Sequence, residues 1–201
     1  MDLDGNRRER GERICAEFDH RYVSVEELVE KSELEEKHLD ELPTDVLLAL
    51  LAKEMDARGP GTPFLLDGFP RSQSDLIAWD KKFGVAWAID FCLFFTLPQF
   101  IAEAAVAELE DAEEALEDTR ERYAKFGEVT GPLIQQFAEV SMLVDIDTSY
   151  PEEQIWKEVS AAFSEGIQEA QVLAMQRDES TRRFVAQSAG GDEEPTSVLD
   201  E

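Results

Sequence analysis

The sequence predicts an α/β fold in three layers, a parallel sheet with helices on both faces. Three observations lead there. Short apolar runs of strand type, such as Phe64-Leu65-Leu66 and Leu143-Val144-Asp145-Ile146, alternate with longer stretches of helical spacing. The run from Trp87 to Leu97 is almost continuously apolar, the pattern of a parallel strand covered on both faces. The cluster Arg58-Gly59-Pro60-Gly61-Thr62-Pro63 stops one helical pattern just before the next strand-like run begins.

In chain order, residues 1–10 are dense in charge and poor in core residues, and are expected to form a frayed, charged N-terminal segment. A domain is expected over residues 11–164. Within it Gly11 to Asp19 forms a short helix and Tyr22-Val23-Ser24-Val25 a strand. Ser24 to Glu36 reads as a helix capped by Ser24, with Glu27 as the capping-box acid. Asp45 to Asp56 and Ser72 to Phe83 are helical, and Phe100 to Phe126 reads as one long helix rich in Ala, Glu and Leu. Gly131-Pro132 interrupts that pattern and Leu133 to Val140 resumes it. Pro151 to Phe163 closes the domain, with Pro151 suited to a first helical position. An added helix is expected over 165–187, within which Gly166 to Arg183 carries the helical pattern. Residues 188–201 form an acidic tail with little to bury and are expected to be disordered.

With 43% hydrophobic residues over 201 positions, the chain can bury one core of ordinary domain size. No apolar run approaches bilayer length, and the first six residues lack the apolar core of a signal peptide. The net charge of −27, with a pI near 4.3, repels nucleic acid and anionic lipid and makes basic protein surfaces the complementary partners. Acids concentrate between Glu103 and Glu121 and in the tail from Asp192. Cys15 and Cys92 sit in apolar contexts and read as buried thiols in a reducing compartment such as the cytoplasm. His20 and His38 stand alone without ligand spacing, so no metal site is expected.

The most informative stretch is Pro63-Phe64-Leu65-Leu66-Asp67-Gly68-Phe69-Pro70-Arg71. An apolar strand ends in an acid, a Gly turns the backbone, and Pro leads into Arg. This resembles the Asp-Gly-Phe-Pro-Arg motif of adenylate kinases and the wider nucleoside monophosphate kinase family. There the Arg grips the monophosphate's phosphate, a task its rigid fork of donors suits. The resemblance continues in order from about Gly11 to Phe163. It takes in Leu42 to Leu51, Ile89 to Pro98, Arg122-Tyr123, Thr130-Gly131-Pro132-Leu133-Ile134 and Met142 to Asp147. By this resemblance the residual substrate-side residues are Asp67, Gly68, Arg71 and Arg122.

The same resemblance implies parts that this chain lacks. A phosphate-binding loop should end in Gly-Lys-Ser/Thr four residues before Cys15, where Gly11 stands, after a first strand that Met1-Asp2-Leu3-Asp4 does not supply. Arg7, Arg8 and Arg10 cannot reproduce its backbone anion cradle. The family's phosphate-binding Arg after the second strand corresponds to Glu30, and its base-reading Gln to Asp75. No Arg lies between Arg71 and Arg120, where a lid should carry several, and a short acidic helix takes the lid's place. No catalytic residue is therefore assigned.

The reading that follows is a catalytically degenerate relative acting as a structural or interaction subunit with other protein subunits, without nucleic acid, membrane or cofactor. Adenylate kinase-like domains recur in ciliary assemblies, so the resemblance offers the axoneme as an alternative location. One competing reading is an active kinase (ATP + AMP to 2 ADP, with ATP and Mg²⁺) seen as an N-terminally truncated chain. Another is a nucleotide sensor binding one anion through Arg71 and Arg122 without turnover. For the sheet, the missing first strand leaves two expectations. Its two apolar neighbours close up and pair directly, or a partner donates a strand between them.

Overall fold

The computed structural model describes residues 6–32, 39, 42–59, 61–109 and 111–166, together with 168, 172, 175 and 176. Among the described residues the elements follow one another as α1 (Arg7–Phe18), β1 (Arg21–Ser24), α2 (Val25–Glu30), α3 (Thr44–Asp56), β2 (Phe64–Asp67), α4 (Gln73–Phe83), β3 (Cys92–Thr96), α5 (Gln99–Val106), α6 (Ala112–Val129), α7 (Gly131–Glu139), β4 (Leu143–Asp147) and α8 (Glu152–Ser164), with a 3₁₀ turn at Gly84–Trp87. All strand pairing among the described residues is parallel. β1 pairs with β2 from Arg21↔Phe64 to Ser24↔Asp67, and β3 with β4 from Cys92↔Leu143 to Thr96↔Asp147. The expected α/β class and parallel strands are thus present.

The expected single sheet is not. The strands make two separate two-stranded sheets, and no ladder joins β2 to β3 among the described residues. Of the two expectations for the gap, direct closure is not seen among the described residues.

Helices α3 and α8 bury the stripes their spacing predicts. In α3, Leu47, Leu48, Leu51 and Met55 face a core shared with Val23, Val25, Val29, Leu42, Phe69 and Trp79. In α8, Ile155, Val159 and Ala162 face a second core with Ile14, Val144 and Ile146. Leu76, Leu133 and Phe137 form a third, smaller cluster. Ser24 caps α2 as expected, accepting a hydrogen bond from Glu27 N at 3.4 Å. Cys15 and Cys92 are free and half-buried, and burial pushes both thiols up to about 11.

Three expectations need correction. The first helix starts at Arg7 rather than Gly11, so residues 7–10 of the charged segment are helical, and residues 1–5 lie outside the described residues. The long helix over Phe100 to Phe126 is broken into α5 and α6. Acids explain the break. Glu108 and Asp111 would oppose the negative C-terminal end of α5, whereas Glu113 and Glu114 favour the positive first turn of α6. Folding back lets Arg120 reach Glu103 at 3.1 Å and Phe126 stack on Phe94 at 5.5 Å between centroids. Third, α2 ends at Glu30, and residues 33–38 lie outside the described residues. Gln168, Val172, Met175 and Gln176 are helical. The rest of the expected helix over 165–187 and the tail 188–201 lie outside the described residues.

Ile14 is fully buried in the cluster that joins α1, β4 and α8, with Leu65 of β2 and Leu93 and Phe95 of β3 packed against it. Ile14→Ala is expected to lower stability by about 2–5 kcal/mol, read from urea unfolding. A loss below about 0.5 kcal/mol, the level of a surface change, would contradict this placement.

Candidate functional site

The Asp-Gly-Phe-Pro-Arg stretch leaves the C-terminal end of β2. Gly68 turns the chain with φ of 80°, a left-handed conformation that favours glycine, and the Phe69–Pro70 bond is cis. The turn sends the two charged residues of the motif into different networks. Asp67 accepts a 2.5 Å hydrogen bond from the Tyr22 hydroxyl. Its Oδ1 also lies 2.9 Å from Arg7 Nε, an ion contact out of line for a hydrogen bond. Burial and the bond to Asp67 raise the Tyr22 hydroxyl above its ordinary value, so it stays protonated as a donor.

Arg71 turns inward. Its Nε donates to Asp75 Oδ2 at 2.8 Å and a terminal nitrogen to Asp75 Oδ1 at 3.2 Å, a two-pronged pair. The other terminal nitrogen donates to the carbonyls of Leu39 at 2.7 Å and Leu42 at 3.2 Å. Asp75 is 1% exposed. It also accepts from the Thr44 hydroxyl at 2.5 Å and from the Arg71 backbone N–H at 3.0 Å. Burial alone would raise the Asp75 carboxyl, but the hydrogen bonds from Arg71 and Thr44 outweigh it and hold it below its ordinary value. The phosphate-gripping candidate is thus engaged on both edges of its guanidinium.

The N-terminal arginines, expected to be frayed, are held by carboxylates of their own helix and of three other elements. Arg7 meets Asp67 of β2, and Arg8 pairs with Glu27 of α2 and, at 2.9 Å, with Glu12. Arg10, only 7% exposed, pairs with Glu152 at the start of α8 at 3.0 Å, and its guanidinium lies 5.6 Å from the Phe95 ring centroid. Arg13 reaches the same Glu152 at 3.4 Å and stacks 3.5 Å over Trp156. The Lys31 bond, with help from Arg8, holds the Glu27 carboxyl low.

Arg122 is exposed on α6, in a shallow groove lined by Asp118, Glu121 and Lys125 of its own helix. Its neighbour Arg120 pairs with Glu103, and Tyr123 donates to the Leu97 carbonyl at 2.6 Å. Asp67 and Gly68 therefore adjoin the arginine face of α1, Arg71 is tied to the 39–42 segment, and Arg122 stands on a separate helix surface.

No protein-family model matches the chain. Among curated proteins it is similar to the UMP-CMP kinase of Mus musculus, 29% identical over 171 residues, covering 75% of this chain and 87% of the relative. The Homo sapiens UMP-CMP kinase is 28% identical over the same span and coverage. The UMP-CMP kinase 2 of Caenorhabditis elegans is 26% identical over 127 residues, covering 61% of this chain and 65% of the relative. These matches add length to the motif at the end of β2 and to the parallel α/β fold around it. Over about three-quarters of its length the chain is thus similar to UMP-CMP kinases, which are nucleoside monophosphate kinases.

For a nucleoside monophosphate kinase relative, the residues described around α1 do not fit a polyphosphate and its Mg²⁺. Glu27, Asp67 and Glu152 already face the arginines there, so an entering polyanion meets carboxylates as well as cations. Sequence reasoning missed Arg7, Arg10, Tyr22 and Thr44 as members of these networks. The repeat of Arg at 7, 10 and 13, which places all three along one face of a helix, was the available signal.

Asp75→Ala is expected to destabilise the protein by about 3 kcal/mol, the lower end for breaking a buried pair, because Arg71 keeps one-fifth of its side chain exposed. A carboxyl lowered on folding contributes stability that is present above the unfolded value of about 3.9 and is lost as pH falls through the folded value. The stability gap between wild type and Asp75→Asn should therefore be constant from pH 7 to about 5 and shrink below about 4. A gap that widens with acid would contradict the pairing.

Proposed function

We propose that this chain is a catalytically silent nucleoside monophosphate kinase relative that serves as a structural or interaction subunit of a larger protein assembly. The observation that carries the reading is the engagement of Arg71 by Asp75 and by the Leu39 and Leu42 carbonyls. A guanidinium whose two edges are bonded internally must break those bonds before it can grip a phosphate. The carboxylates on Arg7, Arg8 and Arg10 support the same reading, as does Glu30 where the family's motif has an arginine. Phosphoryl transfer relies on positioning and cationic stabilisation, so these losses bear on the mechanism itself.

Among the described residues no helix is long and apolar enough to cross a membrane. The net charge of −27 favours partners with basic surfaces. Cytoplasmic location, with the axoneme as its alternative, belongs to this proposal. A second reading, an active kinase with ATP and Mg²⁺, is favoured by the relatives, which are named UMP-CMP kinases. The third, a sensor that binds a nucleotide at Arg71 and Arg122 without turnover, requires Asp75 to release Arg71.

A coupled assay for ADP formation, with ATP and each of UMP, CMP and AMP, separates these readings. Loss of a single transition-state arginine costs about 10³-fold or more in comparable phosphoryl transfer, so the expected rate is that of the blank. Turnover that disappears in Arg71→Ala would establish the kinase reading instead. A nucleotide-dependent rise in Tm without turnover would establish the sensor.

A further inference from the structure

The burial of the strands is inverted. In a sheet covered by helices, inner strands are the most buried. Here the most buried strand residues are Val23 of β1 and Val144 and Ile146 of β4, at 4%, 1% and 0% exposed. Not one residue of β2 or β3 is fully buried. Yet β2 and β3 are the inner pair. Leu65 of β2 packs into the same cluster as Leu93 and Phe95 of β3, and no β1 residue joins that cluster.

Helix α1 sets their directions. Its first residue, Arg7, meets Asp67 at the end of β2, and Arg10 lies over Phe95 near the end of β3. Its last residue, Phe18, stacks on Phe163, which in turn meets Phe91 just before β3. The chain leaving α1 bonds at once to the start of β2, through Arg21 N and Pro63 O at 2.9 Å. Both strands therefore run antiparallel to α1 and parallel to each other.

In a parallel ladder alternate residues direct N–H and C=O to the same edge. Arg21 N donates to Pro63 O and Cys92 N to Met142 O, so Pro63, Leu65 and Asp67 face β1, and Cys92, Phe94 and Thr96 face β4. The backbone groups of Phe64 and Leu66, and of Leu93 and Phe95, point to the opposite edges. They have no hydrogen-bond partner among the described residues.

We propose that the space between β2 and β3 is a docking slot for one extended strand of another polypeptide, inserted parallel to both edges. The partner segment is a continuous apolar run of about five residues, because a strand between two others is covered on both faces. It is rich in Val and Ile, lacks proline, and is flanked by Lys or Arg to complement a chain of net charge −27. Backbone bonds to two edges at once supply the recognition, a doubled form of strand addition. The slot rests on the interaction reading above and gives that reading its surface.

The test uses the full chain and a synthetic nonapeptide, Lys-Lys-Val-Val-Ile-Val-Val-Lys-Lys, with amide hydrogen exchange read by NMR. Free protein should exchange the Leu66, Leu93 and Phe95 amides at least about tenfold faster than those of Val23 and Val144. One equivalent of peptide should slow the amides of both inner edges together. The same peptide N-methylated at alternate residues, with its side chains kept, should lose that protection. The proposal is overturned if these amides are already protected in the free monomer. Protection that appears only with concentration-dependent dimerisation also overturns it, since it assigns the slot to a second copy. So does a peptide that protects one edge, neither edge, or acts equally well when N-methylated. Kinase turnover by the peptide-free chain would fail the interaction reading, whereas the exchange pattern alone fails only the slot.

Discussion

The Arg71–Asp75 pair holds together the part of the molecule on which everything else here depends. Asp75 sits in the first turn of α4 and is 1% exposed. Through Arg71 it anchors the carbonyls of Leu39 and Leu42, and through Thr44 it reaches the first residue of α3. A carboxylate this deeply buried is tolerable only with several donors, and it has four, from the Arg71 side chain, the Arg71 backbone and Thr44. The apolar cluster of Leu42, Leu47, Phe69 and Trp79 closes around the same junction. The arginine that matches the phosphate-side position of the family's motif is here a strut of the core's polar edge.

A similar substitution of partners runs along α1. Its arginines meet carboxylates from β2, α2 and α8, elements far apart in sequence, and so fasten the helix across both strand pairs. Several of these contacts are exposed and contribute little individually. Arg10 is different, being buried between Glu152 and the Phe95 ring. The helix thereby bridges two sheets that share no ladder among the described residues. Leu65 of β2 and Leu93 and Phe95 of β3 pack against the cluster that buries its Ile14.

How much of this could be read from the chain follows from how local each interaction is. The Ser24 cap lies three residues from its partner, and the β2 turn is written in Asp67-Gly68-Phe69-Pro70-Arg71, so both were legible. The break between α5 and α6 was not. Ala, Glu and Leu satisfy a helix throughout that segment, and the fold-back is settled by Arg120 meeting Glu103 and Phe126 meeting Phe94. The order of the N-terminal helix was hidden for the same reason, since Arg10 and Glu152 are 142 residues apart. Asp75 was visible as a departure from the family's pattern, but its contact with Arg71, one helical turn back, came only with the structure.

The claim that Arg71 is internally bonded rather than available to phosphate has a direct spectroscopic test. The Arg71 Nε–Hε resonance, assigned by comparison with Arg71→Lys, can be followed while UMP, CMP and ATP are titrated into the full chain. The account predicts a slowly exchanging proton whose shift stays fixed through millimolar nucleotide. A saturable shift of that resonance, accompanied by release of the Asp75 carboxylate toward its ordinary pKa, would contradict it.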